Sequence, residues 1–300
     1  MKPRPYAVLT LGVAAVCSAA VLISLSLQQG VPPIAIAALR MCFASIVVVP
    51  IAIARSGAEI TRLPRNDLLL CLLSGLLLAM HFAFWTSSLD STSVMSSVVF
   101  VSTNPIFVGL ASALIFREGP GAWAIAGIAA AAAGGAIVGL VDLGNAGSSS
   151  LRGDLLALFG ALAGSGYLLV GRRIRKTVSL TAYVGIAYAT AAVLLLALAA
   201  LTGTRLAGFP VAGYLWIAAL AAGPQLIGHT TYNWALKYLT ATFLTVTLLA
   251  EPVGATLLAI PVLGQVPSLV SLAGGVMILA GIVLASKSEQ KNVRNPGRRL

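Results

Sequence analysis

The sequence predicts an all-α integral membrane protein with ten transmembrane helices, arranged as two inverted five-helix repeats. Three observations predict it: a composition too apolar for water, ten apolar runs of spanning length, and glycines and prolines that recur after 147 residues. Hydrophobic residues make up 59% of the chain and charged residues 9%, whereas a soluble domain carries about 25% charge. A water-facing surface cannot be built from this inventory.

Ten runs are long enough to cross a hydrocarbon core of about 30 Å, which takes roughly 20 helical residues. Breakers such as QQGVPP, REGPG and TGTRLAGFP separate them. The run from Tyr6 to Leu27 is longer than the about 7–15 residues of a signal-peptide core, so it is interpreted as the first span. The weakest break is SLDSTS, between the third and fourth runs. The predicted spans are 6–28, 33–54, 67–88, 92–115, 121–141, 152–172, 180–201, 213–236, 240–262 and 267–286.

The positions of the basic residues predict the orientation. With the N-terminus inside, sixteen of the 19 Lys and Arg residues fall in inner segments, among them RRIRK at 172–176, whereas the outer loops hold Arg152 and Arg205. Inner loops are the ones enriched in Lys and Arg. Both termini are therefore expected in the cytoplasm, in a multi-pass protein of the cell (inner) membrane. The net charge of +11 is explained by this bias, so no nucleic-acid partner is predicted.

An internal repeat organises the chain. Residues 89–120 align with residues 236–267 at a constant offset of 147. Aligned pairs are Trp85/Tyr232, Leu89/Leu236, Asn104/Glu251, Pro105/Pro252, Pro120/Pro267, Gly127/Gly274 and Gly134/Gly281. A unit of five spans makes the second copy enter from the opposite side, with a substrate site expected near the midplane. The predicted divisions are 1–145, 146–286 and a basic cytoplasmic tail at 287–300.

Four motifs resemble a known family: the repeat itself, AALR at 37–40, NPIFVGLASALIFREGP at 104–120 and EPVGATLLAIPVLGQVP at 251–267. The chain resembles the EamA-type branch of the drug/metabolite transporter superfamily, and within it an aromatic amino-acid exporter. The resemblance implies a transporter with a small-molecule substrate and no cofactor or metal. Relatives usually carry Gly-Glu at the end of both repeats, whereas this chain has Arg117–Glu118 and Gly264–Gln265. No role of the second glutamate is therefore transferred.

Glu251 and Pro252 stand near the middle of the ninth span, and Asn104 and Pro105 are their repeat partners. An intramembrane carboxylate indicates a functional site by default, and a proline leaves a backbone carbonyl open to a polar partner. Glu251 is predicted to carry protons, to contact a substrate amine, or to stay hydrogen-bonded and fix helix packing. The third role is preferred because Asn104 cannot titrate. The two prolines are assigned a hinge or structural role.

A second group of candidates lies on spans three and eight. Gln225, His229 and Tyr232 share one helical face, and Trp85, with His81 beside it, lies on the corresponding face of span three. Aromatics with a few polar groups suit an apolar or aromatic substrate. The alternatives are interfacial belt positions for Trp85 and Tyr232, and helix-to-helix hydrogen bonds for the histidines.

Hydroxyl side chains follow the repeat on spans four and nine. Two roles are open for Ser93, Ser97, Thr240 and Thr247. Each hydroxyl either contacts the substrate or forms a hydrogen bond to the backbone of its own helix. Ser97 and Thr247 are retained as candidate binding residues. Arg40, inside span two, is expected to reach the outer surface or to pair with Asp90, and a structural role is preferred to substrate contact.

These features favour export of small neutral metabolites, apolar or aromatic amino acids first, by alternating access through a central cavity. The alternative is an intramembrane enzyme acting on a lipid or peptide, because AGSG at 163–166 resembles a nucleophile turn around Ser165; its first glycine is replaced by Ala163. A channel is disfavoured because no charge ring or filter-like loop is present. The lipid bilayer is the predicted surrounding, and the sequence is compatible with a monomer.

Overall fold

The structure is a computed structural model that describes residues 4–92, 94–116, 121–146, 151–263, 268–270, 272–277, 280–281 and 283–284. Within these residues, seven helical stretches are long and apolar enough to cross a membrane. They are Ala7–Gln28, Pro33–Thr61, Arg65–Leu89, Leu151–Ile174, Leu180–Leu201, Val211–Ala235 and Ala241–Val262. The tail at 287–300, Ser93, and the residues 117–118 and 264–265 lie outside the described residues, as does part of the predicted tenth span.

The helices follow one another with short connections. The elements in chain order are α1 (Arg4–Val16), α2 (Ala19–Gln28), α3 (Pro33–Thr61), α4 (Arg65–Leu89), α5 (Val94–Val101), α6 (Asn104–Phe116), α7 (Ala122–Ala146), α8 (Leu151–Ile174), α9 (Leu180–Leu201), α10 (Val211–Leu220), a π-helix (Ala221–His229), α11 (Thr230–Ala235), α12 (Ala241–Leu248) and α13 (Ala250–Leu263).

Local chemistry explains several helix starts. Pro33 occupies the first turn of α3, where its missing N–H removes no helical hydrogen bond. The Ser179 hydroxyl accepts from the Ala182 N–H at 3.2 Å, and the Thr240 hydroxyl accepts from the Phe243 N–H at 3.1 Å. Both are side-chain N-caps, which satisfy one of the free donors at a helix start.

Four of the predicted spans are interrupted rather than continuous. The first breaks at residues 17–18, the fourth at 102–103 and the ninth at Leu249, while the eighth contains the π-helix. Three interruptions lie beside or around a proline, at Pro105, Pro224 and Pro252, because proline lacks the N–H that would continue the helical ladder. Both breaks fall next to candidate residues, and the stretch Ala241–Val262 is still long and apolar enough to cross a membrane.

Packing brings the two halves together as a single bundle. α4 lies between α8 and α9, and α3 packs along α9. The first span packs against the eighth, α1 on the π-helix and α2 on α10, while α12 meets α6. The core consequently runs through both repeats, and the breaks at 102–103 and Leu249 face one interior space.

Candidate functional site

A cavity lies where the broken helices meet the first, third, sixth and eighth spans. Its empty volume is about 620 Å³, a figure that includes the open space at its mouth. Its wall is mostly apolar, with Val16 and Ala19 from the first span and Val101 and Leu248 at the two breaks. The polar and aromatic side chains on its wall are His81, Trp85, Ser102, Asn104, Tyr167, His229, Tyr232 and Glu251.

Aromatic rings form one side of this cavity. His81 stacks on Trp85 with ring centroids 5.8 Å apart, and His229 stands 6.3 Å from both His81 and Tyr167. Phe82 supports them from behind, meeting His229 edge-on at 5.2 Å. Such edge and offset contacts are the favoured geometries for ring pairs. The wall therefore presents flat, rigid surfaces to a bound molecule.

A backbone contact fixes the orientation of His81. Its Nδ1 lies 2.8 Å from the Gly160 carbonyl oxygen, and because a carbonyl can only accept, Nδ1 carries the proton. In the neutral ring Nε2 is then an acceptor. Gly164 makes this position possible, since a Cβ there would lie 2.8 Å from Nδ1.

The repeat partners Asn104 and Glu251 both line the cavity, but their surroundings differ. The Ser165 hydroxyl donates towards Asn104 Oδ1 at 3.1 Å and the Ala161 carbonyl at 2.8 Å. Glu251 is buried, and its Oε1 has no hydrogen-bond partner among the described residues. A buried carboxylate oxygen without a partner is costly. Glu251 Oε1 is therefore a polar atom that a ligand in the cavity could contact.

Arg40 neither reaches the surface nor pairs with Asp90, so the expectation for it was wrong. Its side chain is fully buried, Nε donates to Gln225 Oε1 at 3.1 Å, and the guanidinium lies 3.9 Å above the Phe82 ring centroid. The packing of α3 against the π-helix buries the Arg40 side chain. The stacked guanidinium is also attracted by the face of the Phe82 ring. It sits directly behind the aromatic wall.

A hydrogen-bonded chain continues from the cavity towards the predicted inner end. Asn233 Nδ2 donates to the Tyr167 hydroxyl at 2.5 Å and lies 3.4 Å from the Tyr188 hydroxyl. Arg175 Nε donates to the Asn233 carbonyl at 3.1 Å, and Arg175 also bonds Val178 O. This chain ties the connection between α8 and α9 to the end of α11.

The structure places the nine predicted binding residues in two groups. His81, Trp85, Asn104, His229, Tyr232 and Glu251 line the cavity. The other three are not on the cavity wall and have partners within the protein. Ser97 is hydrogen-bonded to Ser88 at 2.5 Å, Thr247 donates to the Leu244 carbonyl at 2.7 Å, and Gln225 Oε1 accepts from Arg40 Nε. Hydroxyls bonded to nearby groups in this way serve packing more than binding.

Tyr167 and Gly164 belong to the site and were missed from the sequence. Both stand on α8, which the repeat register relates to the first span. The run AGSG at 163–166, next to Tyr167, was interpreted only as a nucleophile turn. The informative signal was the repeat: if spans three, four, eight and nine line a central site, the neighbouring spans one and six are expected there as well.

The geometry favours binding over bond-breaking chemistry. Ser165, the candidate nucleophile, bonds an asparagine and backbone carbonyls, and neither is a general base of the kind that activates a hydroxyl. Groups of three or more His, Cys, Asp or Glu side chains that could hold a metal are absent from the described part of the chain. An apolar, aromatic cavity with a few polar atoms is the usual form of a small-molecule site.

Comparison with known proteins agrees with this arrangement. A solved structure described as "Crystal structure of protein" superposes with a TM-score of 0.75 at 23% identity, covering 95% of this chain and 98% of that one. That likeness shows the fold. No curated protein matches the chain. The model of the EamA-like transporter family matches twice, over residues 5–140 and 151–287. The chain is therefore a membrane transporter protein built from two repeats, and it belongs to the EamA-like transporter family.

Proposed function

We propose that this protein exports neutral, largely apolar or aromatic amino acids, or related metabolites, across the cell (inner) membrane. The observation that carries the proposal is the central cavity, whose stacked rings of His81 and Trp85 adjoin a few unfilled polar positions such as Glu251 Oε1. Rings and apolar walls favour an apolar side chain, and isolated polar atoms suit the backbone groups of an amino acid. A substrate with several fixed charges would find too few counter-charges.

Alternating access is the proposed mechanism, with ten spans forming two inverted five-helix repeats, 1–145 and 146–286. The helix contacts support it. The register of 147 relates α4 to the eighth span and α8 to the first, so the contact of α4 with α8 corresponds to that of the eighth span with the first. The same register relates α3 to α9, so the contact between these two helices corresponds to itself. Contacts that repeat in this way are expected for two halves rocking about a shared site.

The proposed orientation has both termini in the cytoplasm. Single cysteines introduced near Gly147 and near Lys176, in a chain whose Cys17, Cys42 and Cys71 have been replaced, test it. An impermeant thiol reagent added outside intact cells should label the probe near Gly147 and leave the probe near Lys176 unlabelled. The opposite pattern would reject the orientation, because the sixteen inner basic residues would then face outward.

Flux into proteoliposomes tests the substrate class. A panel of radiolabelled amino acids and nucleosides is offered with and without a pH gradient, against protein-free liposomes. We expect uptake of apolar and aromatic amino acids to exceed that of lysine, glutamate and nucleosides by at least about tenfold, which corresponds to about 1.4 kcal/mol. Equal uptake of nucleosides or of charged amino acids would contradict the proposal.

A further inference from the structure

Two charged side chains in the described part of the chain have buried polar atoms without hydrogen-bond partners there: Arg40, at Nη1 and Nη2, and Glu251, at Oε1. One lies on α3 in the first repeat and the other on α13 in the second. Leaving charged groups unsatisfied in a low-dielectric interior costs several kcal/mol unless a ligand or water completes them. Arg40 can therefore still attract an anionic group, and Glu251 can still accept a hydrogen bond from a cationic or other donor group.

Arg40 is placed to act on the cavity from behind its aromatic wall. Its guanidinium stacks on Phe82 at 3.9 Å, and Phe82 meets His229, a wall residue, at 5.2 Å. The hydrogen bond from Nε to Gln225 at 3.1 Å fixes the charge while leaving both terminal nitrogens free.

We propose that Arg40 is the specificity-determining residue that selects substrates with a carboxylate, and that Glu251 receives the ammonium group of the same molecule. This deepens the proposed function and rests on it. The positive charge draws the carboxylate towards the His229 side of the cavity, while Glu251 Oε1 accepts from the ammonium group on the α13 side. The apolar side chain then packs against His81 and Trp85.

The size of the effect follows from Coulomb's law. For two unit charges on the order of 10 Å apart, in a medium with an effective dielectric constant of about 20, Coulomb's law gives a preference for an anion of roughly 10- to 30-fold. A neutral His81 cannot replace Arg40, because its Nδ1 proton is already donated to the Gly160 carbonyl. Removing the Arg40 charge should therefore remove most of the preference for a carboxylate.

The test compares three probes that share one ring: phenylalanine, phenylalaninamide, which lacks the carboxylate, and 3-phenylpropionate, which lacks the ammonium group. Flux into proteoliposomes is measured for wild type, Arg40→Gln, Arg40→Lys and Glu251→Gln. Arg205→Gln is the matched control, because Arg205 is an exposed arginine in the connection after α9 and its replacement changes net charge equally. Thermal unfolding in detergent, with and without each probe, shows whether each variant is folded.

Wild type and Arg205→Gln should carry phenylalanine at least about tenfold faster than either analogue. In Arg40→Gln the phenylalanine flux should fall about tenfold while the phenylalaninamide flux does not fall, so that their ratio approaches one. Arg40→Lys, which keeps the charge, should retain most of the preference. Glu251→Gln should lose its preference for phenylalanine over 3-phenylpropionate but keep it over phenylalaninamide.

Two failures can be told apart. If wild type moves phenylalanine but Arg40→Gln lowers all three fluxes by one common factor, Arg40 only links α3 to the π-helix and the inference is overturned. If Arg40→Gln is unfolded, the Arg40→Lys ratio decides: a ratio near one overturns the inference, and a wild-type ratio supports it. If wild type moves none of the probes, the proposed function fails, and the inference fails with it.

Discussion

Asn104 and Glu251 occupy the same register in the two repeats, yet one is satisfied by the protein and the other is not. Each follows a helix break and precedes a proline, and each lines the cavity. Asn104 Oδ1 accepts from Ser165 at 3.1 Å, whereas Glu251 Oε1 has no partner among the described residues. The residue related to Ser165 by the register is Ser18, in the break between α1 and α2, whose hydroxyl donates to Ala15 O near the end of α1 at 2.8 Å.

The difference shows that two repeats with the same helix arrangement can present different polar groups to one cavity. The first repeat uses its polar residue to join α6 to α8, and the second leaves a carboxylate facing the cavity. The structural role that the sequence favoured for Glu251 stays a prediction. Four substitutions test this comparison, from the largest expected effect to the smallest.

Gly254→Ala should have the largest effect, because it displaces the helix that carries Glu251. A Cβ at Gly254 would lie 2.3 Å from Cys17 Sγ and 2.6 Å from Cys17 Cβ. Overpacking of this kind costs about 1–3 kcal/mol, so the unfolding temperature in detergent should fall by several degrees and flux should be lost. Gly57→Ala, where a Cβ meets nothing within 4 Å, is the control.

A second substitution separates packing from misfolding at this contact. Replacing Cys17 by glycine in the Gly254→Ala background removes the clashing sulfur and should restore flux. If Gly254→Ala alone unfolds at the wild-type temperature and transports normally, then α13 does not depend on its close contact with the first span, and the comparison loses its structural basis.

Glu251→Ala is expected to lower amino-acid flux by at least about tenfold, since it removes the acceptor and leaves a polar cavity position empty. Glu251→Gln should lower the flux less than Glu251→Ala does, because the amide keeps an acceptor oxygen, and the dependence of the flux on pH should stay the same. Asn104→Ala, the matched change in the first repeat, should cost less, because Ser165 can still donate to the Ala161 carbonyl. The measurement is flux at acidic, neutral and alkaline pH.

A different result for Glu251→Gln would change the mechanism. If this variant loses only the part of the flux that a pH gradient drives, Glu251 carries protons. If Asn104→Ala is as damaging as Glu251→Ala, the two repeat positions are functionally equivalent, and the contrast between a satisfied and an open side chain has no consequence.

Much of the architecture could be predicted from the sequence, because composition and apolar run length act on every residue of a span. The EamA-like family and its two repeats are confirmed. The polar candidates at His81, Asn104 and Glu251 were predicted because polar residues are rare in lipid-facing helices. The environment of Arg40 was not predictable in the same way: its stacking on Phe82 depends on which face of α3 meets α4 and the π-helix, which no local pattern encodes.

The breaks in spans four and nine could be predicted only in part from the sequence. Pro105 and Pro252 indicated weakened helices, but the sequence did not show that both breaks would face one cavity. Tyr167 was missed because the adjacent run was interpreted only as a nucleophile turn, and the hydrogen bond that it accepts from Asn233 joins residues that lie far apart in the chain. Contacts between residues far apart in the chain decide such details.

Gly164→Ala should have an intermediate effect by moving a single wall residue. Its Cβ would lie 2.8 Å from His81 Nδ1, so the imidazole must leave the Gly160 carbonyl or push α4 away from α8. We expect flux to fall by about three- to tenfold, with unfolding temperature changing by only a few degrees. Gly166→Ala on the same helix is the control, because its Cβ meets the flexible end of the Leu77 side chain at 3.2 Å. Equal flux in both variants would show that the His81 orientation does not matter.

Ser165→Ala should have the smallest effect, and it isolates the contact that distinguishes the two repeats. The substitution leaves Asn104 Oδ1 without its donor, and an unsatisfied buried acceptor costs about 1–3 kcal/mol. Its repeat partner provides the control: Ser18→Ala removes only a hydrogen bond to Ala15 O within the same segment, which should change stability by less than about 0.5 kcal/mol. Unfolding in detergent should therefore occur at a lower temperature for Ser165→Ala than for Ser18→Ala, while both retain flux within about twofold. If the two variants unfold at the same temperature, the hydrogen bond to Asn104 does not stabilise the first repeat, and the open state of Glu251 must then be explained by something other than the missing counterpart of Ser165.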